Sequence, residues 1–337
     1  MAETEAEAAG FVFNAAMNAW LSPALGTVVR LKIPDLLVEG ALPAAELALS
    51  ARVHERSLRR VLDALSAAGV FTYRAGRYGL APISTLLRSD HPLGLGALID
   101  VSFGGENQAA WTAFETAVRT GDCAFELCHG VGWIEYLAAH EDRRAVFANA
   151  MTATSRAADQ AILDARDFAE FRQAVDVGGS AGAMIGGWLM RHRQARGIVF
   201  DLPETIRSTE PARLAAPYAD RLSAVGGDFF RSLPEGDLYF LKLVLHDWED
   251  EDALAILRTI RRAIRPEGRV AVIETILPDD RSPHPGWGLD VVMMALTGGR
   301  ERTLAEHRRL LEAAGFAFVG MTPTGAPYSI VEARPAG

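Results

Sequence analysis

Six titratable residues of this 337-residue chain stand in or near apolar runs and glycine turns where chemistry could be done. Asp176 lies inside Gln173-Ala174-Val175-Asp176-Val177, and Asp201 follows the run Gly197 to Phe200. Asp228 stands in Gly226-Gly227-Asp228-Phe229-Phe230, and His246 directly follows Leu243-Val244-Leu245. Glu274 belongs to the run Arg269 to Leu277, and Glu301 to Gly298-Gly299-Arg300-Glu301-Arg302-Thr303. A histidine at the end of a buried strand is placed to act as a general base, and such a base needs an acid that fixes its tautomer and steadies its imidazolium. Glu274 and Glu301 are the candidates, although a carboxylate in the place of Glu301 also suits the start of a helix. Asp247 is adjacent to His246, so its side chain is expected to diverge and to cap the helix beginning near Glu249.

The other acids suggest a ligand. A short β-branched run ends in Gly178-Gly179-Ser180-Ala181-Gly182 and opens into Ala183 to Met190, the pattern of a buried strand feeding a helix through a tight turn. A dinucleotide loop needs G-x-G-x-x-G, and Val177 occupies the first position, so pyrophosphate binding is disfavoured. Asp201, at the next strand tip, is placed to accept both hydroxyls of a ribose. Asp228 suits the amino group of an adenine covered by Phe229, and equally suits a turn after two glycines. An adenosine-containing ligand without a pyrophosphate satisfies these features together.

The elements that must position these residues alternate. Strands read at Ala174–Val177, Gly197–Leu202, Leu222–Val225, Leu238–Leu245, Arg269–Leu277, Phe316–Thr322 and Tyr328–Ala333, with helices between most of them. The fold class is therefore α/β: a mainly parallel seven-stranded sheet covered on both faces, with ligands beyond the carboxyl ends of its strands. Upstream, an apolar helical stretch spans residues 8–31, followed by helices at 44–49 and 55–68 and a hairpin at 70–80 turning at Ala75-Gly76, the layout of a winged helix. Residues 94–165 read as mostly helical. The expected domains are 1–105, the winged helix, and 106–337, with 106–170 a helical connector roofing a site and 171–337 the sheet domain.

Composition narrows the partners. A net charge of −9 argues against generic binding to nucleic acid or anionic lipid. Arg52, Arg56, Arg59 and Arg60 form a locally basic stretch that would contact phosphates in a DNA reader, or else pair with Glu55 and Asp63 on a solvated helix face. No run reaches the roughly 18 apolar residues of a membrane span. The acidic start, Met1 to Glu7, is unlike a secretory signal, so a cytoplasmic location is expected. The two cysteines, Cys123 and Cys128, make neither a disulfide framework nor a zinc site, and no metal-spaced cluster accompanies the acids. The greasy stretch 8–31 needs a cover, which makes self-association an expectation.

Five segments, Val175 to Gly182, Phe200-Asp201-Leu202-Pro203, Gly227 to Phe230, Leu241 to Trp248 and Gly299 to Thr303, together resemble the S-adenosylmethionine-dependent O-methyltransferases, of the plant caffeate and bacterial polyketide-tailoring type. The resemblance covers nearly the whole chain. It implies a Rossmann-like class I catalytic domain, an intertwined homodimer through the winged helix, and S-adenosyl-L-methionine as methyl donor, leaving as S-adenosyl-L-homocysteine. It implies that Gly178, Gly179 and Gly182 pass the methionine part of the cofactor, that Asp201 with Leu202 holds the ribose, that Asp228 and Phe229 frame the adenine, and that Lys242 lies beside the cofactor. It implies His246 as the base flanked by Glu274 and Glu301, and Met151, Asp247, Asp290, Met293 and Met294 on the acceptor side. Ser180 departs from the family, standing where a third glycine is usual.

On that reading the acceptor is a flat aromatic or polyketide-derived hydroxyl compound, and transfer needs no metal. Two other readings stay open at this stage. Some members of the family bind the cofactor and catalyse hydroxylation or decarboxylation instead, and a winged helix joined to a ligand-sensing domain would make a transcription regulator.

Overall fold

The computed structural model describes residues 4–214 and 216–337, with side chains left aside at 152–154, 156–157 and 210–214. The chain forms two compact units. One is Met1–Gln108 with Asp142–Thr154, the other Ala109–Glu141 with Ser155–Gly337. A single cut after residue 105 thus misses one exchange: the first half of the long Glu141–Ala165 helix groups with the N-terminal unit.

In the N-terminal unit, Leu58, Leu62 and Leu65 recur at helical spacing along Glu55–Ala67 and are buried with Leu47, Val28 and Phe71. The hairpin strands β1 (Phe71–Arg74) and β2 (Arg77–Leu80) turn at Ala75 and Gly76, whose φ values of 49° and 80° match the primed turn that suits strand twist. Arg59 pairs with Glu55 as the solvated-face reading expects, while Asp63 accepts the Tyr78 hydroxyl at 2.5 Å instead. The stretch 8–31 is not one helix. It breaks at a 3₁₀ turn, Asn18–Trp20, between helices Glu5–Met17 and Leu21–Arg30. Within this unit Phe11, Val12, Phe13 and Met17 are exposed by 74, 67, 65 and 56%.

The larger unit is built on a seven-stranded sheet. Its strands are β3 (Gln173–Val177), β4 (Arg196–Asp201), β5 (Leu222–Gly226), β6 (Gly236–Lys242), β7 (Ile264–Glu274), then, past the two-residue strands β8 (Ile276–Leu277) and β9 (Arg302–Thr303), β10 (Phe316–Pro323) and β11 (Ser329–Pro335). The order is β10-β11-β7-β6-β3-β4-β5, parallel from β7 to β5 and antiparallel at β10 and β11. Alternate residues of the central strands enter opposite cores. Val175, Val177, Tyr239 and Leu241 pack on one face, and Ala174, Leu238 and Phe240 on the other. Both faces of the central strands are covered, which is why these read as continuous apolar runs.

Two local features matter for the site. The fourth sheet strand ends at Lys242, not at Leu245 as its apolar run suggests, because Leu243 adopts φ 54° and turns the chain out of the sheet. His246 therefore sits on a 3₁₀ turn, Leu245–Asp247, beyond the strand rather than at its end. In the glycine loop, Gly178 and Gly182 have φ values of 68° and 79°, and Ser180 has φ 50°, a region costly for a residue with a Cβ. Ser180→Gly is accordingly expected to raise stability by roughly 0.5–1 kcal/mol, the relieved strain less the added chain entropy of glycine, measured by urea unfolding. A destabilised variant would contradict a left-handed Ser180.

Candidate active site

The His246 turn is fixed from every side by residues far away in sequence. Its imidazole Nδ1 meets Glu301 Oε1 at 2.8 Å, and its main-chain N–H donates to Glu274 Oε1 at 3.0 Å. Its carbonyl accepts from the Arg300 N–H at 2.8 Å. Arg302, fully buried, donates to the carbonyls of Leu245 and Trp248 at 2.8 and 2.7 Å and to Asp250 at 2.9 Å. Gly299 makes this approach feasible, since a Cβ there would lie 2.1 Å from the His246 carbonyl oxygen. Asp290 in turn accepts from the Glu301 N–H at 2.8 Å. A carboxylate only accepts, so Glu301 selects the tautomer with hydrogen on Nδ1 and leaves Nε2 with the lone pair.

The electrostatics follow from burial among acids. Glu274 and Glu301 are 0 and 1% exposed. Burial pulls His246 down, but the Asp247 charge, the Glu301 hydrogen bond and Glu274 outweigh it and push the imidazole up to about 9. Burial drives Glu274 up to about 7. Behind it, His307 lies 3.5 Å from Glu274 Oε2, with its imidazole driven down to about 3 by burial. Asp247 does not cap the next helix, whose N-cap is Glu249; its carboxylate lies 3.8 Å from His246 Nε2. Arg302 and His307 were given no role by the sequence reading. The Gly299 to Thr303 motif carried Arg302 in plain view, but the carbonyls that it clamps lie more than 50 residues away in the chain.

The glycine loop and the acids of the ligand edge gather at the carboxyl ends of β3, β4, β5 and β6. Asp201 Oδ2 accepts from the Ser180 N–H at 2.9 Å and Oδ1 from the Leu202 N–H at 2.7 Å, so its carboxylate is oriented by the loop itself. Gly179 is required by a neighbour: a Cβ would stand 2.7 Å from the Asp176 carboxyl carbon. At Gly182 a Cβ would meet Val199 at 2.7 Å, the close packing of helix on strand. Asp228 follows β5 with its carboxylate accepting from the Phe230 N–H at 2.8 Å, and Phe229, Phe230 and Trp248 pack edge to face beside it. Lys242 ends β6 and donates to Asp159 at 2.5 Å. These residues fit an adenosine carrying a charged amino-acid end: a carboxylate oriented by the glycine loop, apolar rings beside a second carboxylate, and a buried ion pair.

On the acceptor side, Asp290, Met293 and Met294 share the Gly286–Leu296 helix, with both methionines half-buried. Adjacent helical residues point about 100° apart, so the two methionines present different faces. Met151 belongs to the N-terminal unit. Cys123 and Cys128 are free thiols. Among the described residues no three of His, Cys, Asp and Glu are grouped to hold a metal ion, and no helix is long and apolar enough to cross a membrane.

Comparison with known proteins identifies the family. Residues 111–317 match the O-methyltransferase domain family and residues 13–90 the O-methyltransferase dimerisation domain. A phenazine O-methyltransferase of Lysobacter antibioticus is 36% identical over 318 residues, covering 94% of this chain and 93% of its own. An 8-amino-8-demethylriboflavin N,N-dimethyltransferase of Streptomyces davaonensis is 33% identical, covering 92 and 90%. The solved O-methyltransferase from neocarzinostatin biosynthesis, in complex with S-adenosyl-L-homocysteine and 1,4-dihydroxy-2-naphthoic acid, superposes with a TM-score of 0.85 at 32% identity, covering 96 and 98%. This chain belongs to the O-methyltransferase family.

Proposed function

We propose that this protein transfers the methyl group of S-adenosylmethionine to a hydroxyl of an aromatic or polyketide-derived small molecule, with His246 as general base. The observation that carries the assignment of the base is the 2.8 Å bond between His246 Nδ1 and Glu301, which leaves Nε2 to take a proton. When bound, the sulfonium supplies an already activated methyl group. The chain's own task is to orient the acceptor oxygen and remove its proton.

A phenol ionises near about 10, so it is mostly protonated at neutral pH. A base raised to about 9 is closer to that value than an ordinary histidine, which lowers the energetic mismatch of the proton transfer. Glu301 and Glu274 are placed to steady the imidazolium that results. Asp201 is assigned to the ribose, Asp228 and Phe229 to the adenine, and Met293 and Met294 to the apolar wall of the acceptor site. The exposed Phe13 and Met17, within the segment matched by a dimerisation domain, and Phe11 and Val12 just before it support a homodimer formed through the N-terminal unit. The N,N-dimethyltransferase among the relatives supports testing aromatic amines beside phenols as acceptors.

His246→Ala is expected to cut methyl transfer by at least about a hundredfold while leaving cofactor affinity nearly intact, read by turnover and by calorimetric titration. Full turnover in this variant would remove His246 from the chemistry. Asp201→Ala is expected to do the opposite and weaken cofactor binding first; unchanged affinity would remove Asp201 from the ribose.

The pH dependence has a definite sign. Neutral imidazole is the active form, so kcat/KM should climb as pH rises towards about 9. Glu301→Gln removes an acceptor and a negative charge that hold the proton on His246, so its limb should move to lower pH and its plateau should fall. A limb that stays in place would show that another group is titrating.

A further inference from the structure

We propose that Asp159 is the residue that receives the α-ammonium group of the cofactor's methionine end. The proposal rests on the S-adenosylmethionine reading above. It concerns a residue outside all five segments that carry the family resemblance.

Asp159 lies in the C-terminal half of the Glu141–Ala165 helix, within the larger unit, and is 5% exposed. Its Oδ1 accepts from Lys242 at 2.5 Å, whereas its Oδ2 is buried with no hydrogen-bond partner. A buried carboxylate oxygen without a donor is costly, and the cost is removed when a cationic donor arrives. The location suits such a donor. Lys242 ends β6 one residue beyond Leu241, which is paired with Val177 of β3, so the ion pair stands level with the start of the glycine loop. The pair also faces further acid. Asp176 feels both Lys242 and Asp159 as well as Asp201, and is itself pushed up to about 7 by burial.

Two carboxylates, at Asp159 and Asp176, thus share one ammonium, that of Lys242. The excess negative charge matches a ligand that brings its own positive charge, and S-adenosylmethionine brings a sulfonium and an ammonium. Asp159 can hold Lys242 on one oxygen and the ligand ammonium on the other.

The test is a calorimetric cycle on the full chain with three ligands: S-adenosylhomocysteine, its deaminated analogue in which hydrogen replaces the ammonium, and 5′-methylthioadenosine, which lacks the amino-acid end. With the native protein, deamination is expected to cost at least about tenfold in affinity, the scale of one charge-assisted hydrogen bond. In Asp159→Asn, S-adenosylhomocysteine should weaken by a similar factor, the deamination penalty should shrink towards none, and methylthioadenosine should bind as before. An equal loss for all three ligands would assign Asp159 a structural role and overturn the proposal. So would an unchanged deamination penalty. The native protein's own preference for the aminated ligand keeps the test decisive if the variant does not fold, since no preference would overturn the proposal without any substitution. Failure of the native protein to bind S-adenosylhomocysteine at all would instead overturn the cofactor reading, and this proposal with it.

Discussion

The hydrogen bond between His246 Nδ1 and Glu301 is the interaction on which the site depends. It joins a 3₁₀ turn after one strand to a loop more than 50 residues later in the chain, and both ends are buried. An imidazole alone could carry its hydrogen on either nitrogen. Buried against a carboxylate, it carries it on Nδ1 and leaves the lone pair on Nε2, 3.8 Å from the Asp247 carboxylate. Much of the surrounding structure serves this bond. Arg302 ties down the carbonyls on either side of the turn, Glu274 takes its N–H, Gly299 lets the two chains touch, and Asp290 holds Glu301 from behind.

Such a cluster has an energetic cost that the fold must offset. Two buried carboxylates beside one imidazole repel each other, and burial alone favours their neutral forms. The consequence is a histidine whose proton is held more tightly than usual and a Glu274 shifted towards the neutral acid. Coupled groups of this kind titrate together, so the activity profile reports the cluster rather than one residue. The second ligand end shows the same economy of placement. The carboxyl ends of four parallel strands bring Asp176, Asp201, Asp228 and Lys242 to one edge, although they are spread over more than 60 residues of sequence.

How much of this could be read in the sequence follows from what each feature depends on. The sheet was legible because its central strands are buried on both faces, which forces β-branched and aromatic runs with turns between them. The acids at strand ends were legible for the same reason, since a charge that interrupts such a run stands out. The exact seat of His246 was not, because the strand leaves the sheet at Leu243, an apolar residue in a left-handed conformation that its side chain does not announce. Arg302 looked like one more arginine near a helix start, and only tertiary structure supplies its carbonyl partners. Asp159 sits in a helix of small and polar residues where nothing local marks it as buried. Ser180 shows the reverse case: the family pattern flagged the position, and the structure has the serine in a glycine-like conformation.

The most direct test of the account is nitrogen-15 NMR of the native protein with labelled histidine, the His246 resonances assigned by loss in His246→Ala, followed through a pH titration. The account predicts a neutral imidazole protonated at Nδ1 with a free Nε2, reached only well above the pH at which an ordinary histidine deprotonates. A neutral ring protonated at Nε2, or one that loses its proton at or below the ordinary value, would contradict the Glu301 bond as the foundation of the site.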